Sequence, residues 1–126
     1  MVGAPVVIIA EDEAMLRLVL AQSLEECGFT VLAAANGLEA LDQAKMHPEC
    51  QLLVSDVRMP VMDGYQLAAE VLALDPHPAI MLITGYAGPL PDTLRNRVTV
   101  LSKPINIDEL CDRARTLCGD PGIGSH

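Results

Sequence analysis

Five short aliphatic runs recur along this chain, at 6–10, 30–34, 51–55, 79–83 and 98–102, and residues at helical spacing fill most of the intervals between them. That alternation leaves few folds open. Runs this short, apolar throughout rather than at every second position, match strands covered on both faces of a parallel sheet. Parallel neighbours need a crossover, which is right-handed in nearly all proteins and usually helical. The pattern therefore predicts an α/β fold, a doubly wound sandwich of five β-α units in one domain over 5–118.

The helical intervals carry their own punctuation. The first, about 13–27, sets Leu16, Val19, Leu20, Leu24 and Cys27 on one face and stops at Gly28. The second opens at Asn36 with Glu39 three residues on, turns Leu38, Leu41 and Ala44 inward, and ends at Pro48. The third spans 64–74 before Asp75-Pro76 and Pro78. Only 91–97 remains for a fourth, after Gly85, Gly88, Pro89 and Pro91, so that helix is short or irregular. The fifth starts at Asn106, again with Glu109 three residues on, and its stripe is Ile107, Leu110, Cys111, Ala114, Leu117 and Cys118. Residues 119–126 are expected to form a flexible tail.

Composition narrows the partners. Apolar residues make up 51% of the 126, yet there is no Trp, one Phe and two Tyr, so the core must be aliphatic. A net charge of −9 argues against binding nucleic acid or an anionic membrane. No apolar run approaches the roughly 18 residues of a spanning helix. Met1 leads into no basic segment, so a cytoplasmic location without a signal peptide is expected. Cys27, Cys50, Cys111 and Cys118 form no CxxC pair and have no His at ligand spacing; they are expected to be small buried hydrophobes.

Polar residues gather at the ends of the runs: Glu11-Asp12 after the first, Asp56 after the third, Thr84 after the fourth and Lys103-Pro104 after the fifth. In an open parallel sheet those ends meet at one edge, where ligands bind. Three carboxylates, a hydroxyl and an ammonium suit a magnesium ion and a phosphoryl group. Crowded carboxylates repel, and a hard cation relieves them. Manganese or calcium fits the same oxygen set, whereas zinc would want Cys or His. Glu11 and Asp12 also suit the N-terminus of the first helix.

Taken in order, Glu11-Asp12, Asp56 with Met59-Pro60 and Asp63-Gly64 behind it, Thr84-Gly85-Tyr86, and Lys103-Pro104 resemble the receiver domains of two-component response regulators over essentially residues 5–118. No one piece is specific alone; the ordered set on a five-fold β-α pattern is. The resemblance implies a flavodoxin-like sheet of order 2-1-3-4-5, with Glu11-Asp12 beside Asp56 at the switch point. It implies that Asp56 accepts a phosphoryl group from a phosphohistidine and holds it as an aspartyl phosphate. Asp12 and Asp56 would bind magnesium directly, Glu11 through water, and Arg58 through its main-chain carbonyl. Lys103 would supply counter-charge and Thr84 a hydrogen bond to the phosphoryl oxygens, which is most of what phosphoryl transfer asks of a protein. A cis Lys103–Pro104 bond is implied as well.

The implied partners are a histidine kinase or histidine phosphotransfer protein and an unidentified downstream protein, with a homodimer among the allowed arrangements and no direct contact with nucleic acid or membrane. Thr84-Gly85-Tyr86 resembles a subset of receivers found as stand-alone proteins or on hybrid kinases, and Met1 with the short tail favours the stand-alone form. Two features depart from the family. Val100 stands where many receivers carry an aromatic ring that follows the threonine, and the short fourth helix cuts into the usual output face. Arg58 and Tyr86, each two residues beyond a site residue, are expected to shield the phosphoryl group from water. Two alternatives share the crevice. A magnesium-dependent phosphatase of the aspartyl type would want a second acid where Arg58 stands, and a phosphorylation-independent binding module would not need the intact set. Neither the family's chemistry nor these residues imply a turnover enzyme beyond self-phosphorylation and self-dephosphorylation.

Overall fold

The computed structural model describes residues 3–86 and 88–119; the expected tail, beyond Gly119, lies outside the described residues. Five parallel strands form one sheet in the order β2-β1-β3-β4-β5. They are β1 (Val6–Ala10), β2 (Thr30–Ala34), β3 (Leu52–Asp56), β4 (Ala79–Thr84) and β5 (Thr99–Ser102). Four helices cross between or follow them: α1 (Ala14–Glu26), α2 (Gly37–Met46), α3 (Gly64–Leu72) and α4 (Ile107–Cys118). Among the described residues the fourth crossover holds a 3₁₀ turn, Asp92–Leu94, and no α-helix, so the fifth helical interval of the sequence is α4. No described helix is long and apolar enough to cross a membrane.

The strands divide the core by their period of two. Ile8, Ala10, Leu53, Ile80 and Leu82 face one layer, where Ala40, Leu41, Leu67 and Val71 of α2 and α3 cover them. Val7, Ile9, Leu52, Val54, Met81, Ile83 and Leu101 face the other, under Leu20, Leu24, Leu110 and Ala114 of α1 and α4. Each fully buried Leu or Ile contributes roughly 2 kcal/mol by leaving water. β3 lies at the centre and is buried along its whole length.

Caps set three helix starts. The Asn36 side chain accepts from the Glu39 N–H at 2.9 Å, and Asn106 from the Glu109 N–H at 3.0 Å. Asp63 and Gln66 form a reciprocal capping box on α3 that the sequence reading passed over. Three expected core residues are exposed instead: Val19 at 44%, Leu38 at 47% and Ile107 at 36%. Successive helical residues differ by about 100°. The buried stripe of α2 is Gly37, Ala40, Leu41 and Ala44, which turns Leu38 outward, and in α1 Leu20 and Leu24 leave Val19 to the side.

The cysteines also depart from expectation. Cys27 and Cys111 are joined in a disulfide rather than lying as separate hydrophobes, because α1 and α4 pack side by side and bring their Cα atoms to 6.4 Å. Cys50 and Cys118 are free thiols, the first buried and the second half-buried.

The loop from β3 to α3 is held tightly over the sheet edge. The Gly64 N–H donates to the Val57 carbonyl at 2.8 Å. A Cβ on Gly64 would meet the Asp56 carbonyl oxygen and stand 2.8 Å from the Val57 Cα, so only glycine fits. Within the loop, the Met62 N–H donates to the Pro60 carbonyl at 2.8 Å, a γ-turn whose central residue is Val61 at φ 72. A β-branched residue is strained there. Val61 is 79% exposed, so its side chain contributes little burial. Val61→Gly is expected to stabilise the protein by about 1 kcal/mol, read as a higher urea midpoint at unchanged slope. A lower midpoint would show that the side chain does more than strain the turn.

Candidate functional site

Four strands deliver polar side chains to one end of the sheet. β1 ends at Ala10 and hands on Glu11 and Asp12; β3 ends in Asp56, β4 in Thr84, and Lys103 follows β5. The parallel register aligns these ends, pairing Ala10 with Ser55, Asp56 with Ile83 and Thr84 with Ser102. Glu11 (2% exposed) and Asp56 (7%) are buried polar residues, whereas Asp12 is exposed.

Carboxylate oxygens of Glu11, Asp12 and Asp56 all lie within 4.8 Å of one another, and among the described residues this is the cluster able to hold a metal. All three donors are carboxylate oxygens, the kind a hard divalent cation prefers. Two of the three, Glu11 and Asp56, are oriented by their surroundings. The Glu13 N–H donates to Glu11 Oε2 at 2.9 Å, and the Arg17 guanidinium donates to the Glu11 carbonyl at 2.8 Å. Lys103 Nζ donates to Asp56 Oδ2 at 3.0 Å. The Arg58 N–H reaches Asp56 Oδ1 at 3.3 Å. Thr84 Oγ1 accepts from the Tyr86 N–H at 3.0 Å, and the Lys103 N–H donates to the Thr84 carbonyl at 2.9 Å. The Lys103–Pro104 bond is cis, as the resemblance implied, and so is Asp75–Pro76, which it did not.

The electrostatics follow from this crowding. Burial pushes Glu11 up to about 7, the Glu13 amide opposing it and the Asp56 and Asp12 carboxylates adding to it. Without a cation, that carboxyl therefore gives up its proton at a higher pH than an ordinary glutamate does. Burial acts to lower the Lys103 ammonium, but the hydrogen bond and charge of Asp56, with Glu11 and Glu13, outweigh it and leave Lys103 above its ordinary value.

A cleft of about 300 Å³ opens beside Asp56, lined also by Arg58, Thr84, Gly85, Tyr86 and Lys103. A larger hollow of about 620 Å³ adjoins it, lined in part by Met59, Tyr65 and again Arg58 and Tyr86. All five residues singled out at the strand ends thus converge, with Arg58 and Tyr86 at the rim. Glu13, Arg17 and the larger hollow went unread. A backbone amide, a helical arginine and the shape between two loops leave no periodic or compositional trace.

The comparisons with known proteins agree with this geometry. Residues 7–115 match the model of the response regulator receiver domain. The chain is 37% identical over 108 residues to the response regulator receiver protein CpdR of Brucella abortus (strain 2308), covering 82% of this chain and 88% of that one. It is 37% identical over 120 residues to the C4-dicarboxylate transport transcriptional regulatory protein DctD of Rhizobium meliloti (strain 1021), covering 91% of this chain but 25% of that longer protein. The crystal structure of the receiver domain from the hybrid histidine kinase CckA superposes with a TM-score of 0.77 at 35% identity, covering 90% of this chain and 98% of that one. A flavodoxin-like sheet carrying this acidic edge, matched along most of its length, belongs to the response regulator receiver domain family, the phosphoacceptor modules of two-component signalling.

Proposed function

We propose that Asp56 is the residue that accepts the phosphoryl group, from a phosphohistidine on a histidine kinase or histidine phosphotransfer protein. The observation that carries this reading is the Asp56 carboxylate itself. It is buried at the end of the central strand, ion-paired to Lys103 at 3.0 Å, and within 4.8 Å of the Glu11 and Asp12 carboxylates. One Asp56 oxygen attacks phosphorus, the phosphorus–nitrogen bond breaks, and the imidazole leaves with its electron pair. Lys103 meets the charge on the transferred oxygens, and the Thr84 hydroxyl turns from the Tyr86 amide to one of them.

Magnesium is the cation this donor set fits best, with manganese or calcium as substitutes. Asp12, Asp56 and the Arg58 main-chain carbonyl would hold it directly and Glu11 through water. It would supply Lewis-acid charge for the phosphoryl oxygens and relieve the three carboxylates. The family is a signalling module rather than a catalytic enzyme, so the output is a change in protein contacts as the loop after β4 follows Thr84. The downstream partner is a protein, and the setting is the cytoplasm.

Three outcomes test this. Incubated with acetyl phosphate and magnesium, the protein should gain the mass of one phosphate, with no gain in Asp56→Asn and a rate roughly 10²-fold lower in Lys103→Ala. Phosphate appearing on Asp56→Asn would remove residue 56 from the role.

The second outcome concerns pH. Glu11 sits at about 7 in the fold against an ordinary 4.5. Between those values the folded state holds the extra proton, so stability present below about pH 4.5 is lost as pH rises through 7. The loss is on the order of 3 kcal/mol in metal-free protein. Urea denaturation across pH should show this decline, flattened in Glu11→Gln and offset by magnesium at pH 7.5. An equal decline in Glu11→Gln would assign it to other groups.

The third concerns lifetime. If Arg58 and Tyr86 screen the phosphoryl group from in-line water, Arg58→Ala and Tyr86→Ala should each shorten the aspartyl phosphate half-life several-fold. Unchanged decay in both would leave the two side chains without that role.

A further inference from the structure

The four cysteines stand in two chemical states. Cys27 and Cys111 are bonded, while Cys50 and Cys118 are thiols. Cys27 is the C-cap of α1, and Cys111 lies in the second turn of α4. They are 84 residues apart in sequence, yet their Cα atoms are 6.4 Å apart. That separation lies inside the roughly 4.4–6.8 Å span that a disulfide bridges. Packing accounts for it: α1 and α4 share one face of the sheet, with Leu20, Leu24, Phe29, Leu110 and Ala114 in one apolar cluster. The two sulfurs are therefore held near each other whether or not they are bonded.

Proximity singles out this pair. Cys111 is buried, whereas Cys27 is half-buried at a helix end beside Gly28, whose φ of 101 turns the chain away. Burial pushes the Cys50 thiol up, and pushes Cys118 up to about 11.

We propose that Cys27 and Cys111 form a redox modification site, a reversible dithiol–disulfide couple that fastens α1 to α4 when a small-molecule disulfide such as oxidised glutathione reaches it. The Cys27 thiolate attacks one sulfur of the external disulfide, whose S–S bond breaks and releases one thiol. The Cys111 thiolate then attacks Cys27 Sγ in the mixed disulfide and releases the second. The two cysteines give up two protons and two electrons, and the external disulfide becomes two thiols. Excess reduced thiol runs the sequence backwards.

The clamp lies below functional ground. α1 and α4 start just after the loops that carry Glu11-Asp12 and Lys103. Between their N-terminal ends runs a groove of about 430 Å³, lined by Glu13, Leu16, Val19, Lys103, Pro104 and Ile107 among others. A bond between the far end of α1 and the second turn of α4 fixes how far the walls of that groove can part. The couple itself is independent of what Asp56 does.

The test equilibrates the full chain in glutathione buffers from reduced to oxidised, traps thiols with iodoacetamide in denaturant and weighs the protein. Two alkylated thiols are expected under oxidising conditions and four under reducing ones, with the protected pair mapping to 27 and 111. The transition should persist in the Cys50→Ser/Cys118→Ser double variant and vanish in Cys27→Ser. Reduction should lower the melting temperature by roughly 10 °C, given the length of chain the bond closes, and should speed amide exchange across 107–118. Four alkylated thiols in the oxidising buffer would overturn the site. A bond that survives reduced glutathione would overturn its reversibility, and unchanged exchange in α4 would overturn the clamp.

Discussion

Negative charge concentrated at one edge of a rigid sheet governs this molecule. Glu11, Asp12 and Asp56 bring three carboxylates within 4.8 Å, and two of the three residues are buried. Such a cluster is costly unless something opposes it, and the surroundings answer the problem piece by piece. Lys103 brings a cation to Asp56, the Glu13 amide takes one Glu11 oxygen, and burial makes the Glu11 carboxyl slower to give up its proton as pH rises. A cation and a phosphoryl group would each rebalance this arrangement. A site whose charge is only partly opposed is thus also one that responds sharply to whichever ion or group arrives.

What holds that charge in place is the sheet rather than the site. β3 is buried along its length and hydrogen-bonded on both sides, so Asp56 cannot drift from its neighbours. Gly64 presses the following loop against the end of the strand, where any side chain would collide with backbone. Preorganisation here is a product of core packing, and the polar residues are carried by it.

The parts legible in the sequence are those with a period or a punctuation mark. Continuous aliphatic runs betray a parallel sheet, and polar residues just past them announce a shared edge, so Glu11, Asp12, Asp56, Thr84 and Lys103 could be grouped without coordinates. Helix orientation is less legible. Val19 and Leu38 are apolar and fall near the expected faces, but a rotation of one residue puts each outside the buried stripe. The Asp63–Gln66 capping box hid behind the more visible Asp63-Gly64. The Cys27–Cys111 pairing had no sequence signature, since the two cysteines are 84 residues apart and meet only through how their helices lie against one sheet face. The fourth crossover was legible as short from its glycines and prolines, and its single 3₁₀ turn, anchored by the buried Leu94, agrees.

Asp56 lies in a strand that every layer of the core leans on, while Arg58 and Tyr86 sit on surrounding loops and border the same cleft. The Asp56 side chain is held among polar groups, by the Lys103 ammonium and the Arg58 amide. The Arg58 and Tyr86 side chains can vary with little penalty to folding. The centre of the site and its rim are thereby under separate constraints: core packing locks the strand that carries Asp56, while the exposed rim borders the cleft without being held by that packing.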